Sequence, residues 1–483
     1  MAITDSPRTT LEARAQQHVI YSSAHELAGA IRRRELSASD VLEAHLARIR
    51  SHNPALNAIV TLDEQGARDR ARAADEALAR GESWGPLHGV PFTLKDVLET
   101  AGMRTTAGHP PLTDYVPSRD STVAARLKAA GAVLLGKTNV PPLAMSLQTN
   151  NAIFGRTNNP WDLTRTVGGS SGGAAAAVAA GLVPFEVGSD MAGSIRIPAH
   201  YCGVFGLKPT ANRLPITGHI PPVPGALWPD RQMCVVGPIA RCVEDLALVS
   251  RVLSGPDGIN TEVPPVPWVD QPAGEVSRLR IAYMPLFPGV PTARAVRAAV
   301  ERVADQLARA GARVEQREPG VSIDEIRQVW SEYFPLLSAC LMEVSSTAMA
   351  IKAPEGPPAT LANWARVLAG RDRLITSIDG FLTEFDAFLC PAVISPAFPH
   401  SEPRTPIPVD DQLVESRYVD HYLYPFNMTG HPALVMPAGH AEDGLPVGIQ
   451  LVGRRWEDER LLATAQAVVS VIGGFRAPPE PKR

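Results

Sequence analysis

The chain has 483 residues, of which 45% are hydrophobic and 20% charged, with a net charge of −4. Such a composition is that of a soluble globular protein, long enough for one large α/β domain or two to three smaller ones. It excludes a disordered chain, a nucleic-acid footprint and a polybasic membrane patch.

Five scattered cysteines, Cys202, Cys234, Cys242, Cys340 and Cys390, form no CxxC pair, which points to a reducing compartment and against a thiolate zinc site. Met1 to Arg8 carry no apolar secretory segment, and no run of about 18 apolar residues occurs. The expected location is cytoplasmic, with no membrane partner.

From about residue 23 to 80 the pattern is helical. Ser23 reads as an N-cap, and apolar positions recur at helical spacing from Leu36 to Ile49. Beyond Gly89 short apolar strands alternate with small-residue helices. Ser121 to Ala130 predicts a helix closed by Gly131, and Ala132 to Leu135 a buried strand. Ala174 to Ala180 predicts a helix closed by Gly181, and Val183 to Val187 a strand. Arg278 to Met284, Ala293 to Ala310 and Arg313 to Gln316 repeat the strand–helix–strand texture. Pro-rich stretches near 256–275, 353–358 and 399–408 read as surface connections. No internal repeat is present.

Two further motifs match familiar patterns. Gly131 to Thr138 fits the phosphate-loop pattern GxxxxGK[ST], but its middle is Ala132-Val133-Leu134-Leu135, a strand composition, and Pro141-Pro142 blocks a prompt helix start. A phosphate loop must be an open turn whose N–H groups point at the ligand, so nucleotide binding is not expected. Gly168 to Gly172 fits the nucleophile elbow GxSxG with Ser170 as nucleophile and His431 downstream as base. Asp162 to Val167 is a weak candidate for the strand that such an elbow requires, and this reading, an α/β-hydrolase-type esterase, stays open as an alternative.

The segments that carry chemistry are Gly89-Val90-Pro91-Phe92-Thr93-Leu94-Lys95-Asp96, Phe154 to Trp161, and two glycine-dense serine turns. The turns are Gly168-Gly169-Ser170-Ser171-Gly172-Gly173 and Gly188-Ser189-Asp190-Met191-Ala192-Gly193-Ser194-Ile195-Arg196-Ile197-Pro198. Cys202 to Thr210, Phe426 to Ala433 and Gly444 to Gln450 complete the set. Together they resemble the amidase signature family of serine hydrolases. The resemblance covers about residues 25–470. It implies an N-terminal extension over 1–22, an amidase domain over 23–475 with a signature core at about 85–215, and a C-terminal tail over 476–483. The implied fold class is α/β, a single large domain with a mixed, many-stranded β-sheet covered by helices on both faces.

The resemblance maps a catalytic lysine onto Lys95, a bridging serine held by a cis peptide onto Ser170, and the nucleophile onto Ser194. A serine attacks only when a base takes its proton, and a lysine is a base only when neutral, a state favoured by burial. Ser170 would relay the proton and, in reverse, deliver it to the departing amine. The N–H groups of Met191, Ala192, Gly193 and Ser194 correspond to the oxyanion hole. Asp190 and Arg196 are expected to brace the turn. Two residues depart from the family's habit: Ala192 stands where glycine is usual, and Glu186 where a small residue is usual.

The implied activity is hydrolysis of a carboxamide through an acyl-enzyme, with esters also accepted, without a cofactor or a metal. His88, His109, His200, His219 and His431 lack metal-type spacing and are expected to be structural, and Lys208 to pack or cap. Met145, Gln148 and Thr149 are the candidate substrate-binding residues. Trp228, Trp330, Tyr333, Phe334 and Leu337 suggest a pocket for an apolar or aryl acyl group, and no arginine stands out as a carboxylate clamp. The expected partner is a small-molecule amide, and the family allows a homodimer. The ammonia-releasing component of a tRNA-dependent amidotransferase shares the core. Ala211 to His219 differs from that component's usual continuation, which favours a free-standing amidase.

Overall fold

The computed structural model describes residues 19–222, 224, 233–349 and 360–480, apart from the side chains of residues 338–349. Its helices in chain order are α1 (Ala24–Arg32), α2 (Ala38–Leu56), α3 (Glu64–Ala79), α4 (Thr122–Ala129), α5 (Gly172–Ala179) and α6 (Arg196–Cys202). There follow α7 (Val243–Leu253), α8 (Arg294–Arg309), α9 (Ile323–Met349), α10 (Leu361–Phe381), α11 (Tyr424–Met428) and α12 (Asp458–Ile472). Local signals set several starts. Ser23 and Glu26 form a reciprocal capping box at α1, and Ser121 Oγ accepts the Ala124 N–H at α4.

Eleven strands build one mixed sheet: β1 (Ile59–Leu62), β2 (Pro91–Lys95), β3 (Val133–Thr138), β4 (Phe185–Asp190), β5 (Phe205–Lys208), β6 (Val235–Ala240), β7 (Arg280–Tyr283), β8 (Arg313–Gln316), β9 (Ala387–Pro391), β10 (Ala433–His440) and β11 (Pro446–Val452). Their order across the sheet is β1-β3-β2-β4-β6-β5-β10-β11-β9-β7-β8. The block β3-β2-β4 is parallel, as is β9-β7-β8, and the strands between them are antiparallel. Every residue of β2, β4, β5 and β6 is buried, as expected of central strands covered by helices on both faces.

Three strands differ from the sequence expectation. The strand expected at Val183 to Val187 begins at Phe185 and runs on to Asp190, because Pro184 has no N–H for the ladder and Gly188-Ser189 remains extended. The strand from Ala132 continues through Lys137 to Thr138, and that of Arg278 to Met284 is shortened by a 3₁₀ turn over Val276–Arg278. The phosphate-loop match is therefore strand β3. Its Lys137 is wholly buried, and Nζ donates to Leu98 O, Thr100 Oγ1 and Thr105 Oγ1.

The two ends of the described chain meet. Tyr21 packs on Phe475 with ring centroids 6.1 Å apart, and Glu480 pairs with Arg48 and His52 of α2. The Pro-rich stretch at 353–358, Trp228 and most of residues 1–22 lie outside the described residues.

Candidate active site

Lys95 is the last residue of β2 and is completely buried. Its Nζ donates to Ser170 Oγ at 2.7 Å, to Ser189 Oγ at 3.0 Å and to Ser189 O at 3.3 Å. Burial lowers its pKa from 10.5 to about 7, while Cys234, Asp190 and Glu186 nearby pull it back up. A lysine so placed is neutral over the upper part of the physiological range and can accept a proton.

Ser170 is also buried and follows a cis peptide bond from Gly169. Its turn is pressed against the preceding segment: Thr149 Oγ1 donates to Gly168 O at 2.9 Å, and a Cβ on Gly169 would meet Ser146 O at 2.4 Å. The second turn, between β4 and α6, carries Ser194, which is half-buried. One hydrogen bond stitches the two turns together, from the Ser171 N–H to Ser194 O at 3.0 Å.

Asp190 and Arg196 hold the Ser194 turn. Asp190 accepts the N–H groups of Gly193 (2.8 Å) and Ile195 (3.1 Å), and pairs with Arg196 at 2.9 Å with neither side chain exposed. Burial pushes the Asp190 carboxyl up, but the Arg196 charge and the hydrogen bonds of Arg196, Asn427 and Gly193 override it and hold it well below the usual carboxylate range. Arg196 also donates to Gln450 Oε1 at 2.7 Å, to Leu423 O at 3.1 Å and to Asn427 Oδ1. The Gly193 N–H is thus spent on Asp190, whereas the N–H groups of Met191, Ala192 and Ser194 have no partner among the described residues. Gly193 has φ +113, and a Cβ there would lie 2.4 Å from Leu423 Cδ1. Ala192 has no positive φ, so the alanine that replaces a usual glycine imposes no backbone strain.

The other expected residues are placed as follows. Gln148 exchanges hydrogen bonds with Ser401, and Thr149 braces Gly168; Met145 is exposed. Tyr333 and Leu337 are core residues, Tyr333 stacking on Trp364. Trp330 stacks on Tyr424 at 4.3 Å between centroids and on Phe334 at 4.7 Å, and Phe334 is exposed. His431, the base of the elbow reading, is bonded to Thr429 Oγ1 and Asp379 and does not touch Ser170. Lys208 is buried and donates to Pro209 O. Sequence reasoning did not single out Ser189, Asn427, Leu423 or Tyr424 as parts of the site. Ser189 and Asn427 carried a nearby signal, since Ser189 stands beside Asp190 in the same glycine-dense segment and Asn427 lies in the segment Phe426 to Ala433.

The Amidase family profile matches residues 40–369 and 354–462. The chain belongs to the amidase signature family. It is 35% identical to an acylamidase of Rhodococcus erythropolis, covering 93% of this chain and 95% of that one. It is 36% identical to one component of the glutamyl-tRNA(Gln) amidotransferase of Salinispora tropica, covering 94% and 98%. The structure of a bacterial aryl acylamidase of the same family aligns with a TM-score of 0.81 at 27% identity, covering 93% and 96%. The fold is that of these enzymes, and the chain is an amidase. Among the described residues no helix is long and apolar enough to cross a membrane.

Proposed function

We propose that the enzyme hydrolyses an apolar or aryl carboxamide to its acid and ammonia or an amine, with Ser194 as nucleophile, Ser170 as relay and Lys95 as base. The observation that carries this reading is the 2.7 Å contact of Lys95 Nζ with Ser170 Oγ, set in a turn hydrogen-bonded to Ser194. Ser194 Oγ attacks the amide carbon and passes its proton to Ser170 Oγ, whose own proton goes to neutral Lys95. The tetrahedral oxyanion is met by the N–H groups of Met191, Ala192 and Ser194, while Gly193 keeps the turn's shape through Asp190. Reversing the relay protonates the leaving nitrogen, which otherwise departs badly as an anion. Water then attacks the acyl-enzyme by the same route, and esters follow the same path.

An apolar or aryl acyl group is favoured by Leu423, which lies against Gly193, and by the stack Tyr424–Trp330–Phe334 that leads from the neighbouring residue to the surface. The likeness to an acylamidase and to an aryl acylamidase supports the same class. The equal likeness to an amidotransferase component favours a second reading, release of ammonia for a partner. The isolated chain decides between them. It is expected to release amine from aryl amides with no partner, nucleotide or tRNA. Silence on aryl and alkyl amides, with ammonia formed from glutamine only beside a partner protein, would establish the second reading.

A further inference from the structure

Glu186 is a carboxylate in the middle of the sheet with no exposure at all, and the proposed chemistry does not use it. It pairs in register with Thr93 of β2, two residues before Lys95, and Lys95 in turn pairs with Thr138 of β3. Side chains two apart on a strand share a face, so Thr93, Lys95 and Glu186 lie on one side of the sheet. Phe92 and Phe185, their neighbours, stack on the other side with ring planes 4° apart. Thr93 Oγ1 donates to Glu186 Oε2 at 2.9 Å and Thr138 Oγ1 to Oε1 at 2.5 Å. Each oxygen thus meets a separate hydroxyl, and the register seats the carboxyl in the corner between Thr93, Lys95 and Thr138.

We propose that Glu186 is a positioning residue for Lys95, its buried carboxylate supplying the counter-charge for the ammonium that Lys95 becomes on taking the serine proton. This rests on Lys95 acting as the base. The three acceptors around Nζ, Ser170 Oγ, Ser189 Oγ and Ser189 O, can satisfy three ammonium protons but are all neutral. Charge must therefore come from elsewhere. Asp190, at the end of β4, is already committed to Arg196, and Cys234 and His219 also face the lysine. Lys137 acts on Glu186 as well, but it is anchored to Leu98, Thr100 and Thr105. Burial pushes the Glu186 carboxyl up to about 8 and the Lys95 amine down to about 7, and each group lessens the other's shift, so these two values belong to the pair rather than to either group alone.

The test is the pH dependence of Ser194 labelling by a fluorophosphonate, in the wild-type enzyme, in Glu186→Gln and in Thr138→Val. Removing the negative charge makes Lys95 easier to deprotonate, so the acid limb of Glu186→Gln should move to lower pH by about one unit or more. Its plateau rate should fall, because a less basic lysine accepts the proton less readily. Thr138→Val removes one donor to the carboxylate and should move the limb in the same direction by less. It stands in if Glu186→Gln does not fold. An unmoved limb, with full activity or with a uniform loss at every pH, would overturn the proposal and leave Glu186 a structural residue. Wild-type enzyme that is not labelled at Ser194, or an acid limb that survives Lys95→Ala, would instead refute the assignment of the nucleophile or base.

Discussion

Gly193 and Ala192 stand side by side in the turn that carries Ser194, yet their tolerance to change should be opposite. Gly193 has φ +113, a region that costs a side-chain-bearing residue about 1–3 kcal/mol, and a methyl there would collide with Leu423 at 2.4 Å. Relief requires the turn to shift, and with it the neighbouring N–H groups. Gly193→Ala is therefore expected to lower kcat by about 100-fold or more, the scale of losing one oxyanion donor. Ala192 already has an ordinary backbone conformation. Ala192→Gly should keep near wild-type kcat and cost only about 0.4–1 kcal/mol of stability, through the freer unfolded chain. Steady-state kinetics on one aryl amide, with urea unfolding of both variants, checks the pair.

At the scale of elements, the site is held where the end of β4, the start of α6, α11 and β11 converge on one guanidinium. Arg196 joins Asp190 to Gln450, Leu423 and Asn427, all in the buried interior. Removing one member of such a pair leaves a buried charge without a partner. Arg196→Met is expected to destabilise by about 3–5 kcal/mol in urea unfolding. Arg196→Lys should recover little, because an ammonium cannot reach four acceptors in the planar fork. A stability loss below about 1 kcal/mol in Arg196→Met would show that the surrounding bonds hold the turn without it. The same convergence explains what the sequence could and could not reveal. The cap at Ser23 was legible because its partner lies three residues away. Asn427 and Gln450 reach Arg196 from 231 and 254 residues along the chain, and no local pattern announces such a contact. The start of β4 lies two residues beyond its expected place because Val183 looks like a strand while Pro184 cannot enter the ladder. Glu186 was conspicuous as an oddity, but its setting depended on the register of three strands.

Across the whole molecule, Lys95, Ser170 and Ser194 come from three separate segments that meet only because β2 and β4 are parallel neighbours and α5 begins between them in sequence. The proposed chemistry is therefore a property of the complete sheet, whereas the resemblance to amidases could be read from motifs alone. Labelling the intact chain with a fluorophosphonate and locating the modified residue by mass spectrometry tests the account most directly. The label is expected on Ser194, absent in Ser194→Ala and slowed in Lys95→Ala. Since burial lowers Lys95 to about 7 and only the neutral amine accepts a proton, the wild-type rate should rise with pH through about 7. A label on Ser170, or a folded enzyme that hydrolyses amides without taking a label at Ser194, would contradict it.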